Sequence, residues 1–99
     1  MSTANVEELL TRLRALKLEL TARYKVQKMA LFGSFVRGEQ DEVSDIDVLV
    51  DFEEGSDLFD LVELALFLEE QLQREVDVVS RQALRTELRD SVLQEAVPL

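Results

Sequence analysis

A chain of 99 residues, 46% hydrophobic and 32% charged, has the composition of a globular domain with one modest core and no room for a second lobe. It holds no cysteine and no histidine, which excludes a disulfide frame, a thiolate metal site and an imidazole base; a metal would bind oxygen donors, favouring Mg²⁺ or Mn²⁺ over zinc. The net charge of −10 is uneven, for residues 1–37 hold seven bases and three acids, whereas residues 38–73 hold thirteen acids and no base, so direct nucleic-acid binding is not expected.

The opening "MSTANVEELL" is neither basic nor a long apolar run, and no segment reaches the ~20 apolar residues of a membrane span. A cytoplasmic protein without a membrane partner is the expectation. Residues 6–23 then read as an amphipathic helix, with Val6, Leu9, Leu10, Leu13, Leu16 and Leu20 at helical spacing. Asn5 is its expected cap, with Glu8 as the reciprocal partner. Val26, Met29, Ala30, Leu31 and Phe32 make a short apolar strand that ends at Gly33. Residues 34–38 suit a single helical turn, followed by the polar loop "EQDEVS".

"DIDVLVDF" alternates, with Ile46, Val48, Val50 and Phe52 on one face and Asp45, Asp47, Leu49 and Asp51 on the other. "EEGS" closes this strand, and Asp57 is the expected cap of a helix over "DLFDLVELALFLEEQL". The apolar residues of that helix fill more than one stripe, which predicts cover on two sides. "REVDVVS" reads as a third short strand, after which Ser80 is expected to cap a last helix running to about Glu95. The order predicts a single domain over residues 1–99 of α+β (α/β) class, a small mixed sheet of three to four strands flanked by helices.

Within this frame the stretch "GSFVRGEQDEVSDIDVLVDF" carries the chemistry. Gly33 ends a strand and Ser34 opens a helical turn, where backbone N–H groups and a hydroxyl suit phosphate oxygens. A Gly-Ser pair alone is most often a simple turn. Asp45 and Asp47 say more, because alternate strand residues lie roughly 6.5–7 Å apart on one face. Their carboxylates can converge on one cation, or on two cations about 3.5–4 Å apart. Without a cation they repel, unless both simply face solvent from an edge strand. A third carboxylate, Asp77, lies between Val76 and Val78 in a short apolar strand, where an isolated aspartate packs poorly. If the two strands are neighbours, the three acids form a triad equipped for two-metal phosphoryl or nucleotidyl transfer. Glu53, Glu54, Glu69 and Glu70 read as a solvated face, and Ser44 as a turn residue.

Gly33-Ser34, ten residues, Asp45-x-Asp47 and a later strand Asp77 resemble the signature of the DNA polymerase β-like nucleotidyltransferase superfamily. More narrowly, "LFGSFVRGE…SDIDVLVDF" resembles the minimal nucleotidyltransferase (MNT) proteins, with similarity from about Val26 to the C-terminal segment. The resemblance implies a nucleotidyltransferase fold and that Gly33 and Ser34 hold the β- and γ-phosphates of ATP. It further implies that Asp45, Asp47 and Asp77 ligate two Mg²⁺ ions, for which Mn²⁺ would substitute, and that Asp77 helps deprotonate the acceptor hydroxyl. Arg37 is a candidate triphosphate contact, and equally a candidate loop salt bridge.

MNT-like proteins occur beside a helical HEPN-domain protein, so the resemblance implies an antitoxin that transfers AMP from ATP to a tyrosine hydroxyl of a HEPN toxin. A homodimer or a hetero-oligomer with that toxin is compatible with the apolar surface of the last two helices. Two rival readings remain at this stage. One is nucleotide transfer to a small-molecule acceptor, against which the lack of a substrate lobe counts. The other is a binding module that neutralises a basic partner by masking it.

Overall fold

A computed structural model of the chain describes residues 6–38 and 45–99. Its elements are α1 (Val6–Tyr24), β1 (Val26–Phe32), α2 (Ser34–Arg37), β2 (Ile46–Phe52), α3 (Leu58–Leu72), β3 (Val76–Ser80), a 3-10 turn (Arg81–Ala83), α4 (Thr86–Glu95) and β4 (Val97–Pro98). The strands form one mixed sheet in the order β3-β2-β1-β4, with β2 parallel to β3 and β1 antiparallel to both of its neighbours.

The alternation of β2 governs the layering. Ile46, Val48, Val50 and Phe52 are buried on one face, where they meet Leu9, Leu13 and Leu20 of α1 and Leu64, Leu68 and Leu72 of α3. β1 adds Val26, Met29 and Leu31 to this face, although Val26 and Met29 differ by an odd number of residues. The sheet resolves the mismatch with an irregularity at Gln27, since Val26 pairs with Phe52 and Lys28 with Asp51. One extra residue in β1 restores the parity. The opposite face carries Asp47, Leu49 and Asp51 in β2, and α4 lies along it.

Local chemistry fixes the element ends. Asp57 accepts the Asp60 N–H at 3.1 Å and Asp60 accepts the Asp57 N–H at 2.9 Å, a reciprocal cap that starts α3 where expected. Two expectations fail. α3 is covered on one side only, for Leu58, Phe59, Val62 and Leu66 are exposed while Leu64, Leu68 and Leu72 are fully buried. α1 and the sheet occupy the inner side, and among the described residues nothing lies over the outer one. Ser80 does not cap α4 either: a 3-10 turn intervenes, and α4 starts after Arg85, whose carbonyl accepts the Leu88 and Arg89 N–H groups. Glu69 is more than a solvated acid, because its carboxylate accepts the Val76 N–H at 3.1 Å and so anchors the start of β3. Asn5, the loop over 39–44 and Ser44 lie outside the described residues. Among the described residues no helix is long and apolar enough to cross a membrane.

Candidate functional site

β1 ends where β2 and β3 begin, so three chain segments present their residues at one end of the sheet. On the face away from the main core, the strand register aligns Phe32, Asp47 and Asp77 in one row: Phe32 pairs with Asp47, and Asp47 with Asp77. Neighbouring strands lie about 4.8 Å apart, so the two aspartates leave the sheet side by side. Asp45 immediately precedes β2, two residues before Asp47, and is exposed. Asp77 is exposed and Asp47 is half-buried.

Gly33 turns the chain from β1 into α2 with φ +85° and ψ −155°, a region essentially reserved for glycine. A Cβ there would lie 2.1 Å from Oδ2 of Asp47. The missing side chain is therefore space that the Asp47 carboxylate occupies. The Gly33 carbonyl accepts the Val36 and Arg37 N–H groups at 3.1 and 3.2 Å, which winds α2 and sets Ser34 at its first position. Gly38 closes this single turn in the left-handed conformation, with φ +72°. The close pair of glycines thus starts and stops one four-residue helix.

Arg37 ends α2 and donates from Nη1 to Oε1 of Glu95 at 2.7 Å. The other oxygen of Glu95 accepts the Gly33 N–H at 3.0 Å. These two donors hold the Glu95 carboxyl below its usual range, the Arg37 hydrogen bond most strongly and the Gly33 bond next. Asp47 moves the other way. Burial raises its carboxyl above the usual range, and the charges of Asp77, Asp45 and Glu95 add to the rise against a lowering by Arg37. A cleft of about 470 Å³ opens over this row, walled by Asp47 and Asp77 below and by Leu88, Val92 and Glu95 of α4 above. Its size suits a small ligand.

Among the described residues no three acidic side chains stand close enough together to hold a metal ion as they are. The donor set nevertheless fits a hard divalent cation. All three candidates are carboxylates, Asp47 and Asp77 are cross-strand partners, and the strain on ionised Asp47 is what a cation would relieve. Of the residues singled out in the sequence, Gly33, Asp47 and Asp77 line one cleft with Arg37, while Ser34 and Asp45 flank it in the chain. Glu95 was missed. It is a single acid at the end of a surface helix, 62 residues from Gly33, and no local pattern marks it.

The description "nucleotidyltransferase domain" fits residues 13–99. The chain is 42% identical over 97 residues to the protein adenylyltransferase MntA of Thermococcus cleftensis, an alignment covering 98% of each. A solved minimal nucleotidyltransferase superposes with a TM-score of 0.86 at 45% identity over the whole of both chains. A solved complex of a tri-AMPylated HEPN toxin from Shewanella oneidensis with an MNT antitoxin contains a chain that superposes with a TM-score of 0.65 at 28% identity, covering 91% of this chain and 69% of that one.

Proposed function

Because this chain belongs to the nucleotidyltransferase domain family, in its minimal branch, we propose that it is the antitoxin of a HEPN/MNT pair and transfers AMP from ATP to a tyrosine hydroxyl of its HEPN partner. The observation that carries this reading is the row of Asp47 and Asp77 beside the Gly33 turn, in a chain closely similar to a protein adenylyltransferase.

In this reading the Gly33 and Ser34 turn and the Arg37 guanidinium take the β- and γ-phosphates. Backbone N–H groups and an arginine fork match phosphate oxygens in shape and charge. Asp45, Asp47 and Asp77 would hold the divalent cations, Mg²⁺ by choice of oxygen donors, which when bound neutralise the triphosphate and the charge developing around the α-phosphorus. The acceptor oxygen bonds to the α-phosphorus as the bond to the β-phosphate oxygen breaks. Pyrophosphate leaves, and the hydroxyl proton passes to the Asp77 carboxylate. Asp77 suits that role because it is the exposed member of the strand pair, open to a bulky acceptor. A protein partner would bring its own acceptor surface to the open cleft over Asp47 and Asp77. The acidic stretch from residue 38 to 73 favours a basic one.

The test uses the co-expressed pair. With ATP and Mg²⁺, intact mass of the HEPN partner should show one or more added adenylyl groups, mapped by fragmentation to tyrosine. Asp77→Asn should preserve the complex and lower transfer by roughly 10²–10⁴-fold, the worth of a positioned base. Cells protected by that variant, with the partner unmodified, would show masking to be sufficient and remove the catalytic account.

A further inference from the structure

The two donors assigned above to the triphosphate already carry an anion of the chain's own. Glu95 spans them, one carboxylate oxygen on the Gly33 N–H at 3.0 Å and the other on Arg37 Nη1 at 2.7 Å. Both groups therefore donate to a single side chain from far along the sequence. A carboxylate that bridges an N–H at a helix start and a guanidinium makes the same kind of contacts as two oxygens of a phosphate.

The placement is also unfavourable for Glu95 in one respect. It stands beside a cluster that is already acidic, and its charge acts on Asp47 against ionisation. The bonds to Gly33 and Arg37 hold it there. α4 has no fully buried residue along its ten positions, and Leu93 lies with Met29 and Leu49 on the sheet. The chain leaves the helix at Ala96 in an extended conformation and enters β4, which pairs with β1 through Pro98 and Val97. The end of α4 is thus tied to the sheet by Glu95 on one side and by β4 on the other, while Leu84, Leu88 and Val92 only rim the cleft.

Resting on the nucleotidyltransferase reading, we propose that Glu95 is an internal occupant of the phosphate cradle, which the nucleotide's triphosphate must expel before it binds. Nucleotide admission then requires Glu95 to leave Gly33 and Arg37, with the end of α4 turning away from Asp47 and Asp77. The protein's apparent affinity for nucleotide is its intrinsic affinity multiplied by the fraction of molecules in which Glu95 has swung out. Glu95 sets the nucleotide concentration at which the site fills, and contributes nothing to the chemical step.

The sign of one substitution separates this role from the opposite one, in which Glu95 stays and orients Arg37 for the triphosphate. The probe is Mg²⁺ with AMP-PNP, an ATP analogue with an imido bridge between its β- and γ-phosphates, added with no acceptor protein present and followed by calorimetry and by the amide resonance of Gly33. Glu95→Ala should bind about tenfold tighter than the parent chain, as a cradle no longer closed by its own carboxylate. Glu95→Gln, which keeps the side chain's shape, should shift affinity in the same direction. Asp90→Ala, which removes an exposed charge from the same helix, should leave affinity unchanged. The Gly33 amide should move on titration of the parent chain and already be displaced in nucleotide-free Glu95→Ala. Equal or weaker binding by both Glu95 variants, with the Gly33 amide responding in the parent, overturns the occupant role and leaves the nucleotidyltransferase reading standing. Absence of AMP-PNP binding by the parent and both variants overturns both.

Discussion

Asp47 is the residue on which the site's electrostatics converge. Burial and the neighbouring charges of Asp77 and Asp45 raise its carboxyl above its ordinary value of 3.8. A native carboxyl with a raised pKa binds more protons than the unfolded chain between the two values. Stability therefore falls as the pH rises through that window, and the full penalty persists at neutral pH. Asp47→Asn should then be more stable than the parent to urea at pH 7 in chelator, and the gap should close as the pH falls below 3.8. Glu95 has the opposite sign: its lowered pKa contributes stability at neutral pH that is lost in acid. The sequence disclosed Asp45, Asp47 and Asp77 because an acid on an apolar strand violates a local pattern. It gave no hint of Glu95, whose role arises from a contact 62 residues distant. The spacing of Gly33 from Asp47 was visible as a motif, but the reason for the glycine, a carboxylate in the place of its Cβ, is a contact only the folded chain makes.

Among the elements, α3 shows how far periodicity carries. Its apolar residues fill most of the helix surface, which argued for burial on two sides, yet only the line Leu64, Leu68 and Leu72 is fully buried. Truncation should expose the asymmetry. Leu68→Ala should cost about 2–5 kcal/mol, while Leu66→Ala, at a position 60% exposed, should stay within about 0.5 kcal/mol of the parent in urea titrations. Hydropathy alone treats these leucines alike, because the difference lies in what stands opposite each one. β2 was legible from Ile46 to Phe52, since period-two alternation maps directly onto two faces of a sheet, although Asp45, read as its first residue, falls just before it. β4 was not legible: two residues, Val97 and Pro98, contain no period, and only pairing with β1 makes them a strand. The start of α4 was misplaced for a similar reason. Ser80 is a good cap by residue type, but it ends β3 and the chain first makes a tight 3-10 turn.

At the scale of the molecule, the sheet order β3-β2-β1-β4 joins neighbours with different histories. β1 and β2 pair antiparallel, bringing Phe32 against Asp47 fifteen residues later. β2 and β3 pair parallel, so Asp77 reaches Asp47 only after α3 has crossed between them, thirty residues along the chain. Closing the longer loop costs more entropy, and parallel, non-local pairing is the slower kind. The expected order therefore docks β3 after the barrier to folding, with the two carboxylates meeting late. Asp77→Asn in chelator should leave the refolding limb of a chevron plot where it is and slow unfolding by about two- to fivefold, the effect of relieving an exposed like-charge contact formed past the transition state. A matching acceleration of refolding would place the pair inside the nucleus instead. If that order holds, a chain still folding would carry the Gly33 turn and Asp47 before it possesses Asp77, so the complete row of site residues would be the last feature the fold acquires and the first it gives up.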